Sequence, residues 1–203
     1  MSELDAHSPL RRAVLWVALL NFSYFWVEFG VAQSIGSVSL FADSIDFLED
    51  TAINLLILIG IGFSLAYRAR LGMFLAGVIL IPGVATLWMA WNKVVSLAPP
   101  DAFDLSLTGL GALFVNLTCA FLLVRFRHHQ GSLTRAAFLS ARNDALANVA
   151  IIAAGLLTLV WHSALPDLVV GLGIFLMNLD AAREVYQVAR REHAETRQQQ
   201  PQS

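Results

Sequence analysis

The sequence predicts an all-α membrane protein, a six-transmembrane-helix bundle with cytoplasmic N- and C-termini. Composition, long apolar stretches and the placement of basic residues lead to this prediction. Of the 203 residues, 57% are hydrophobic and 14% are charged, and the mean hydropathy is +0.65, whereas soluble domains carry about 25% charged residues. The net charge of -2 gives no broad basic surface, so nucleic acid is not expected as a partner.

Six apolar stretches are each long enough to cross about 30 Å of hydrocarbon. The first continues well beyond the apolar core of a signal peptide and is therefore expected to be a retained helix. The second is longer than one crossing requires. In chain order the stretches are Ala13 to Val31, Val38 to Ala66, Leu71 to Val95, Leu105 to Val124, Ala136 to Val160 and Pro166 to Val185.

These stretches divide the chain into three predicted parts. Residues 1–10 form a polar N-terminal tail, and residues 11–188 form the six-helix membrane domain. Residues 189–203 are charged and rich in glutamine, with too few apolar side chains to bury a core, so this tail is predicted to be disordered.

Basic residues predict the orientation, because positively charged flanks stay in the cytoplasm during insertion. Six crossings place eleven of the 13 basic residues on one side and only Lys93 on the other, with Arg142 inside the fifth helix. Both termini are therefore expected in the cytoplasm, and the protein is expected to be multi-pass, in a bacterial inner or plasma membrane. The eleven are Arg11, Arg12, Arg68, Arg70, Arg125, Arg127, Arg135, Arg183, Arg190, Arg191 and Arg197.

Carboxylates interrupt the second apolar stretch. A charged side chain at bilayer depth costs at least about 2.5 kcal/mol, so each one requires a partner, water or a function. Asp46 and Asp50 lie one helical turn apart, and Asp43 and Asn54 fall near the same stripe. The spacing predicts a line of oxygen atoms along one face of this helix.

The fifth stretch repeats the same spacing with Ser140, Asp144 and Asn148, while Arg142 points to the opposite side. Two polar stripes can therefore face each other inside the bundle. Carboxylates this close repel one another, and a divalent cation holds them ionised, so metal binding and proton release become linked. We therefore expect a divalent metal ion and protons as the partners within the lipid bilayer.

A structural alternative stands beside this interpretation. The aspartates can pair with Arg142, hydrogen-bond across helices or lie near water. One arginine cannot neutralise so many acids, so the functional interpretation is preferred. For Arg142 itself, a structural ion pair with Glu28 or Glu49 is expected rather than contact with a substrate.

The sequence gives little support for a disulfide, an enzymatic activity or a histidine metal site. Cys119 is the only cysteine, which excludes an internal disulfide. Motifs of zinc proteases, serine hydrolases and Walker ATPases are missing, so neither an enzyme nor a permanently bound cofactor is expected. The pair His128–His129 lies in a basic loop, where histidines are mostly solvated rather than metal-collecting.

The two polar motifs, residues Ser39 to Asp50 and Asn143 to Val149, resemble the second- and fifth-helix motifs of the cation diffusion facilitator (cation efflux) family. The resemblance covers the whole membrane part and includes Asn21, Glu28, Asn116 and Pro166–Asp167. It implies a secondary active transporter, an antiporter that exports a divalent metal cation, zinc-, manganese-, iron- or cobalt-like, in exchange for protons.

The same resemblance assigns a four-cornered transport site. Asp46 and Asp50 match the pair on helix two, and Asp144 matches one member of the pair on helix five. The fourth corner falls on Ser140, where the family has histidine or aspartate. Zinc favours nitrogen and thiolate ligands, while oxygen ligands also suit manganese, magnesium or ferrous iron, so the metal stays open. Supporting ligands are sought among Asn143, Asn148, Asp43, Glu28 and Asn54.

A second departure concerns the C-terminus, because many family members continue into a cytoplasmic metal-binding and dimerising domain, which is not expected here. A homodimer would then form mainly through membrane helices. The alternative function is a non-transporting membrane metal sensor or accessory subunit in which Ser140 marks a degenerate site. A channel-like uniporter is a further possibility, and an intramembrane enzyme ranks behind both.

Overall fold

Six helices make up the part of the chain that the computed structural model describes, which is residues 8–60, 84–124, 126 and 132–179. Within these ranges there is no strand, so the predicted all-helical bundle is confirmed. The helices are α1 Ser8–Ile35, α2 Val38–Gly60, α3 residues 84–96, α4 Ala102–Val124, α5 Ser132–Trp161 and α6 Leu165–Leu179.

Three of these helices are both long and apolar enough to cross a membrane: Pro9–Ile35, Ala102–Val124 and Ser140–Trp161. The 23-residue α2 has the length, but four acidic side chains lie within it. Large apolar side chains such as Phe114 and Phe121 are exposed on the outside of the bundle, where lipid covers them. The chain is therefore an integral membrane protein.

Several predictions concern residues outside the described ranges. They include the N-terminal tail up to residue 7, the loop at residues 67–70, the pair His128–His129 and the tail at residues 189–203. Parts of the third and sixth predicted crossings, residues 71–83 and 180–185, also lie outside. For these residues the sequence predictions stay predictions.

Two apolar clusters close the bundle at its ends. One contains Val14 and Val17 from the start of α1 together with Ile57 and Leu123 from the ends of α2 and α4. The other joins the opposite ends of the same helices, through Ala32, Leu40 and Leu105 among others. The polar residues of α1, α2, α4 and α5 lie between these clusters. The core therefore consists of a polar layer between two apolar ones.

Helix packing brings the two polar stripes together. α1 packs against α2 and α4, α4 packs against α5, and α2 contacts α5. The turn between α1 and α2 is only two residues long, and Gly36 adopts a φ of 64° there, which glycine tolerates without a steric penalty. α1 and α2 are therefore antiparallel neighbours.

A side chain of α6 caps the N-terminus of α2. Both carboxylate oxygens of Asp167 accept backbone hydrogen bonds, Oδ2 from Val38 N at 2.9 Å and Oδ1 from Ser39 N at 3.1 Å. The Ser37 and Ser39 hydroxyls each donate to Oδ1 at 2.6 Å. A carboxylate at a helix N-terminus accepts hydrogen bonds from the free N–H groups and interacts favourably with the positive end of the helix dipole. Asp167 thus fixes the start of the helix that carries the acidic stripe.

α6 can approach this closely because it presents a glycine. A Cβ atom added to Gly171 would lie 2.7 Å from Ser39 N and from the carbonyl carbon of Val38. Gly171 therefore permits close packing of α6 against the start of α2.

Three connections meet at this end of the bundle. The buried Lys93, near the end of α3, donates from Nζ to Ala98 O at 2.8 Å. The same Nζ would lie 3.6 Å from a Cβ on Gly36, in the α1–α2 turn. Ser37 in that turn contacts Asp167, at the start of α6. The α1–α2, α3–α4 and α5–α6 connections therefore lie together, as alternating crossings require.

We expect Asp167→Ala to destabilise the bundle. The substitution removes the acceptor of four hydrogen bonds, and buried donors without an acceptor should cost on the order of 2 kcal/mol. The measurement is the thermal unfolding midpoint in detergent, with Asp104→Ala, an exposed carboxylate on α4, as the matched control. Equal midpoints for the two variants would contradict the capping role.

Candidate functional site

The acidic stripe of α2 faces the interior of the bundle. Asp43 is 0% exposed, Asp50 is 4% exposed, and Asp46 between them is half-buried. Helical periodicity explains the arrangement, because residues three, four and seven positions apart share one face of a helix. The predicted line of oxygen atoms therefore lies inside the protein rather than toward lipid.

Ser140 joins α2 to α5. Its hydroxyl donates to Asp50 Oδ1 at 2.9 Å, and the same oxygen lies 3.5 Å from Asp144 Oδ2, one turn along α5. A hydroxyl has a single proton and can donate to only one carboxylate at a time. The shorter distance assigns that proton to Asp50. The Ser140 hydroxyl therefore lies between the carboxyl groups of Asp50 and Asp144.

Asp46 belongs to the same cluster. Its carboxyl group neighbours those of Asp144, Asp43, Glu49 and Asp50. We call Asp46, Asp50, Ser140 and Asp144 the transport cluster, after the role that the family resemblance predicts for them. All of its donor atoms are oxygen, and its three carboxyl groups come from two helices.

An asparagine from α1 supports Asp50. Asn21 Nδ2 donates to Asp50 Oδ2 at 3.3 Å, so both carboxylate oxygens of Asp50 accept a hydrogen bond. Cys119 Sγ lies 3.5 Å from Asn21 Oδ1. Asn54 contacts the backbone rather than a carboxylate, because its Nδ2 donates to the Asp50 carbonyl oxygen at 2.7 Å. Residue spacing did not predict this role for Asn21. The signal in the sequence was an amide side chain within an apolar helix.

A second polar chain links α4, α5 and α2. Asn116 Nδ2 donates to Asn148 Oδ1 at 3.0 Å, and Asn148 Nδ2 donates to Asp43 Oδ2 at 2.5 Å. All three side chains are buried. Asn148, predicted as a supporting ligand, thus uses its amide group in hydrogen bonds with Asp43 and Asn116.

Glu28 is a fully buried carboxyl group on α1. It is 0% exposed, and no donor group among the described residues reaches Oε1 or Oε2. Its carboxyl group neighbours that of Asp43, whose Oδ1 also lacks a partner. The adjacent Tyr24 hydroxyl donates elsewhere, to Thr108 O at 2.6 Å.

The expected ion pair of Arg142 is not formed. Arg142 is exposed, and its guanidinium donates to the neighbouring Asn143 Oδ1 at 3.3 Å. Among the described residues no carboxylate pairs with it, and Glu28 is unpartnered. The physical reason is the position on α5, because Arg142 and Asn143 lie on its outer surface, away from Ser140 and Asp144. Asn143 is therefore not placed with the transport cluster.

The cluster is not a closed metal cage. Within the described ranges, no three histidine, cysteine, aspartate or glutamate side chains are arranged to hold an ion. The arrangement supplies carboxylates on facing helices, a hydroxyl between them and amides behind them. Hard divalent cations accept such oxygen donors together with water.

Comparison with known proteins points in the same direction. Residues 14–190 match the family described as the cation efflux transmembrane domain. The chain is 30% identical over 158 residues to the cation-efflux pump FieF of Salmonella arizonae, covering 70% of this chain and 52% of the pump. The FieF pumps of Salmonella newport and Salmonella heidelberg match with the same identity and coverage. The chain thus spans about half the length of these relatives. It belongs to the cation efflux family.

Proposed function

We propose that this protein is a secondary active transporter that exports a divalent metal cation in exchange for protons. The observation that carries the proposal is the convergence of Asp50 and Asp144 on the Ser140 hydroxyl, across the contact between α2 and α5. Asp46 supplies the third carboxylate. Membership of the cation efflux family supports efflux of a metal cation as the direction and class of transport.

The exchange of metal for protons follows from the chemistry of the donors. Carboxylates bind a metal ion only when they are ionised. Without the ion, buried carboxylates at close range repel each other and retain protons. Each binding event therefore releases protons, and each release of metal takes protons up. Alternating exposure of a cluster between α2 and α5 to the two sides of the membrane would convert a proton gradient into metal export.

The ligand atoms of the transport cluster indicate which metal ions it would prefer. The transport cluster contains no nitrogen or sulfur ligand, and Cys119 contacts Asn21 rather than a carboxylate of the cluster. Manganese, magnesium and ferrous iron accept an all-oxygen site readily, whereas zinc prefers nitrogen and thiolate. We propose a hard divalent cation as the preferred substrate, and a bacterial inner membrane as the location.

One observation favours a second candidate. Because Ser140 already donates to Asp50, the cluster is held together without an ion, as a degenerate site in a membrane metal sensor or accessory subunit would be. Metal binding without flux in reconstituted vesicles would favour that candidate. Metal flux that no pH gradient drives would instead indicate a uniporter.

We expect Asp50→Asn and Asp144→Asn to reduce transport by at least about tenfold, since each removes a charge that the cation needs while keeping the shape of the side chain. The assay follows metal flux into proteoliposomes containing a metal-sensitive dye under an imposed pH gradient. Asp104→Asn, at an exposed carboxylate, is the control and should transport normally. Wild-type flux of all tested metals in both site variants would show that the site is elsewhere.

We expect Ser140→His to shift selectivity toward zinc, because it adds an imidazole nitrogen between the two carboxylates. The matched control is Ser140→Ala, which removes the hydrogen bond to Asp50 without adding a ligand. A panel of divalent metals in the same flux assay gives the ratio of zinc to manganese transport. An unchanged ratio in Ser140→His would argue against a role of position 140 in metal choice.

A further inference from the structure

Two carboxyl groups outside the transport cluster are buried as completely as any residue in the bundle. Glu28 of α1 and Asp43 of α2 are both 0% exposed. Their carboxyl groups lie within hydrogen-bond reach of each other. We call them the Glu28–Asp43 pair. Two ionised acids at this depth carry a charge of -2, so the pair requires a counter-charge.

Most carboxyl oxygens of the pair receive no hydrogen bond from another described group. Of its four carboxyl oxygens, only Asp43 Oδ2 accepts a hydrogen bond, from Asn148. No donor group among the described residues reaches Glu28 Oε1, Glu28 Oε2 or Asp43 Oδ1. Buried polar atoms are nearly always satisfied. These oxygens therefore require a positive charge between the two carboxyl groups, either a shared proton or a bound cation.

The neighbouring hydrogen-bond donors already donate to other groups. The Tyr24 hydroxyl donates to Thr108 O at 2.6 Å, and Asn116 Nδ2 donates to Asn148 Oδ1 at 3.0 Å. Asn148 itself uses its amide on Asp43. Reorienting any of these groups to reach Glu28 would break a buried hydrogen bond, which costs as much as it would gain. A ligand that brings positive charge avoids this exchange.

The chemistry of the three oxygens selects the ligand. Carboxylate oxygen is a hard donor, and two carboxylates match the charge of one divalent ion. Magnesium and manganese are commonly held by one or two carboxylates together with water. The pair thus suits the hard class of divalent cation that the transport cluster also suits.

The position of the pair relates it to the transport cluster. At 1.5 Å per residue, Asp43 lies about 4.5 Å from Asp46 and about 10.5 Å from Asp50 along the axis of α2. The displacement is toward the N-terminus of α2, the end near the α1–α2 turn. The arginine distribution predicts that this end faces away from the cytoplasm.

We propose that Glu28 and Asp43 form a second cation-binding station, which takes a hard divalent ion on its way between the transport cluster and the N-terminal end of α2. This inference rests on the proposed transport function for the direction of passage, whereas binding at the pair depends only on its own oxygens. Two stations on one helix face let an ion move in short steps between sites of similar chemistry.

The test is the stoichiometry of Mn²⁺ binding to the full chain in detergent, measured from the loss of the free-Mn²⁺ electron paramagnetic resonance signal. Wild type should bind two ions per chain. Glu28→Gln, which keeps the side-chain shape, should bind one, with the affinity of the lost event reduced by at least about tenfold. Asp144→Asn should also bind one, and the exposed-site control Asp104→Asn should bind two.

Asp43→Asn provides an independent route to the same result if Glu28→Gln does not yield folded protein, as judged by gel filtration. A wild-type stoichiometry of one that Glu28→Gln leaves unchanged would overturn the second station, and would mean that the pair is satisfied by a shared proton. Loss of every ion in Glu28→Gln would also overturn it, because Glu28 would then belong to a single site.

The outcomes separate this inference from the proposed function. If Asp144→Asn loses an ion and Glu28→Gln does not, the transport cluster stands and the second station fails. If Glu28→Gln loses an ion and Asp144→Asn does not, the second station stands and the assignment of the transport cluster fails.

Discussion

The burial of several carboxyl groups between two apolar clusters is the constraint on which the rest of the structure depends. Hydroxyls and amides from α1, α4 and α5 meet the oxygens of Asp43 and Asp50, but a neutral hydrogen-bond donor does not cancel a charge. The remaining charge has to be met by protons or by metal ions. The same requirement that makes the folded bundle costly therefore makes it able to bind a cation.

The requirement also explains how the helices are arranged. α2 is too acidic to face lipid on all sides, and it packs against α1 and α5, which supply Asn21 and Ser140. The exposed apolar side chains are carried by helices such as α4, which holds Phe114 and Phe121. Lipid-facing and ion-facing surfaces thus fall largely on different helices.

Helical periodicity predicted much of the candidate site. The spacing of four residues in both polar stripes predicted that Asp46 and Asp50 share one helix face and that Ser140 and Asp144 share another, because a side chain's angular position on a helix depends only on residue number. Contacts between helices could not be predicted in this way. Whether Arg142 reaches Glu28 depends on how α5 is rotated in the bundle, and the rotation places Arg142 outside. The cap that Asp167 gives to α2 joins residues 128 and more positions apart, and only the packed bundle reveals it.

That cap has a mechanical consequence. The bonds from Asp167 and the contact at Gly171 join the start of α2 to the start of α6, and α2 leaves the α1–α2 turn from this fixed point. A helix held firmly at one end can change its tilt more easily than it can slide. A rearrangement that opened the cluster would therefore be a pivot of α2 about its capped end rather than a slide of the helix. In such a pivot the displacement would grow with distance from the cap, so Asp43 would move least and Asp50 most.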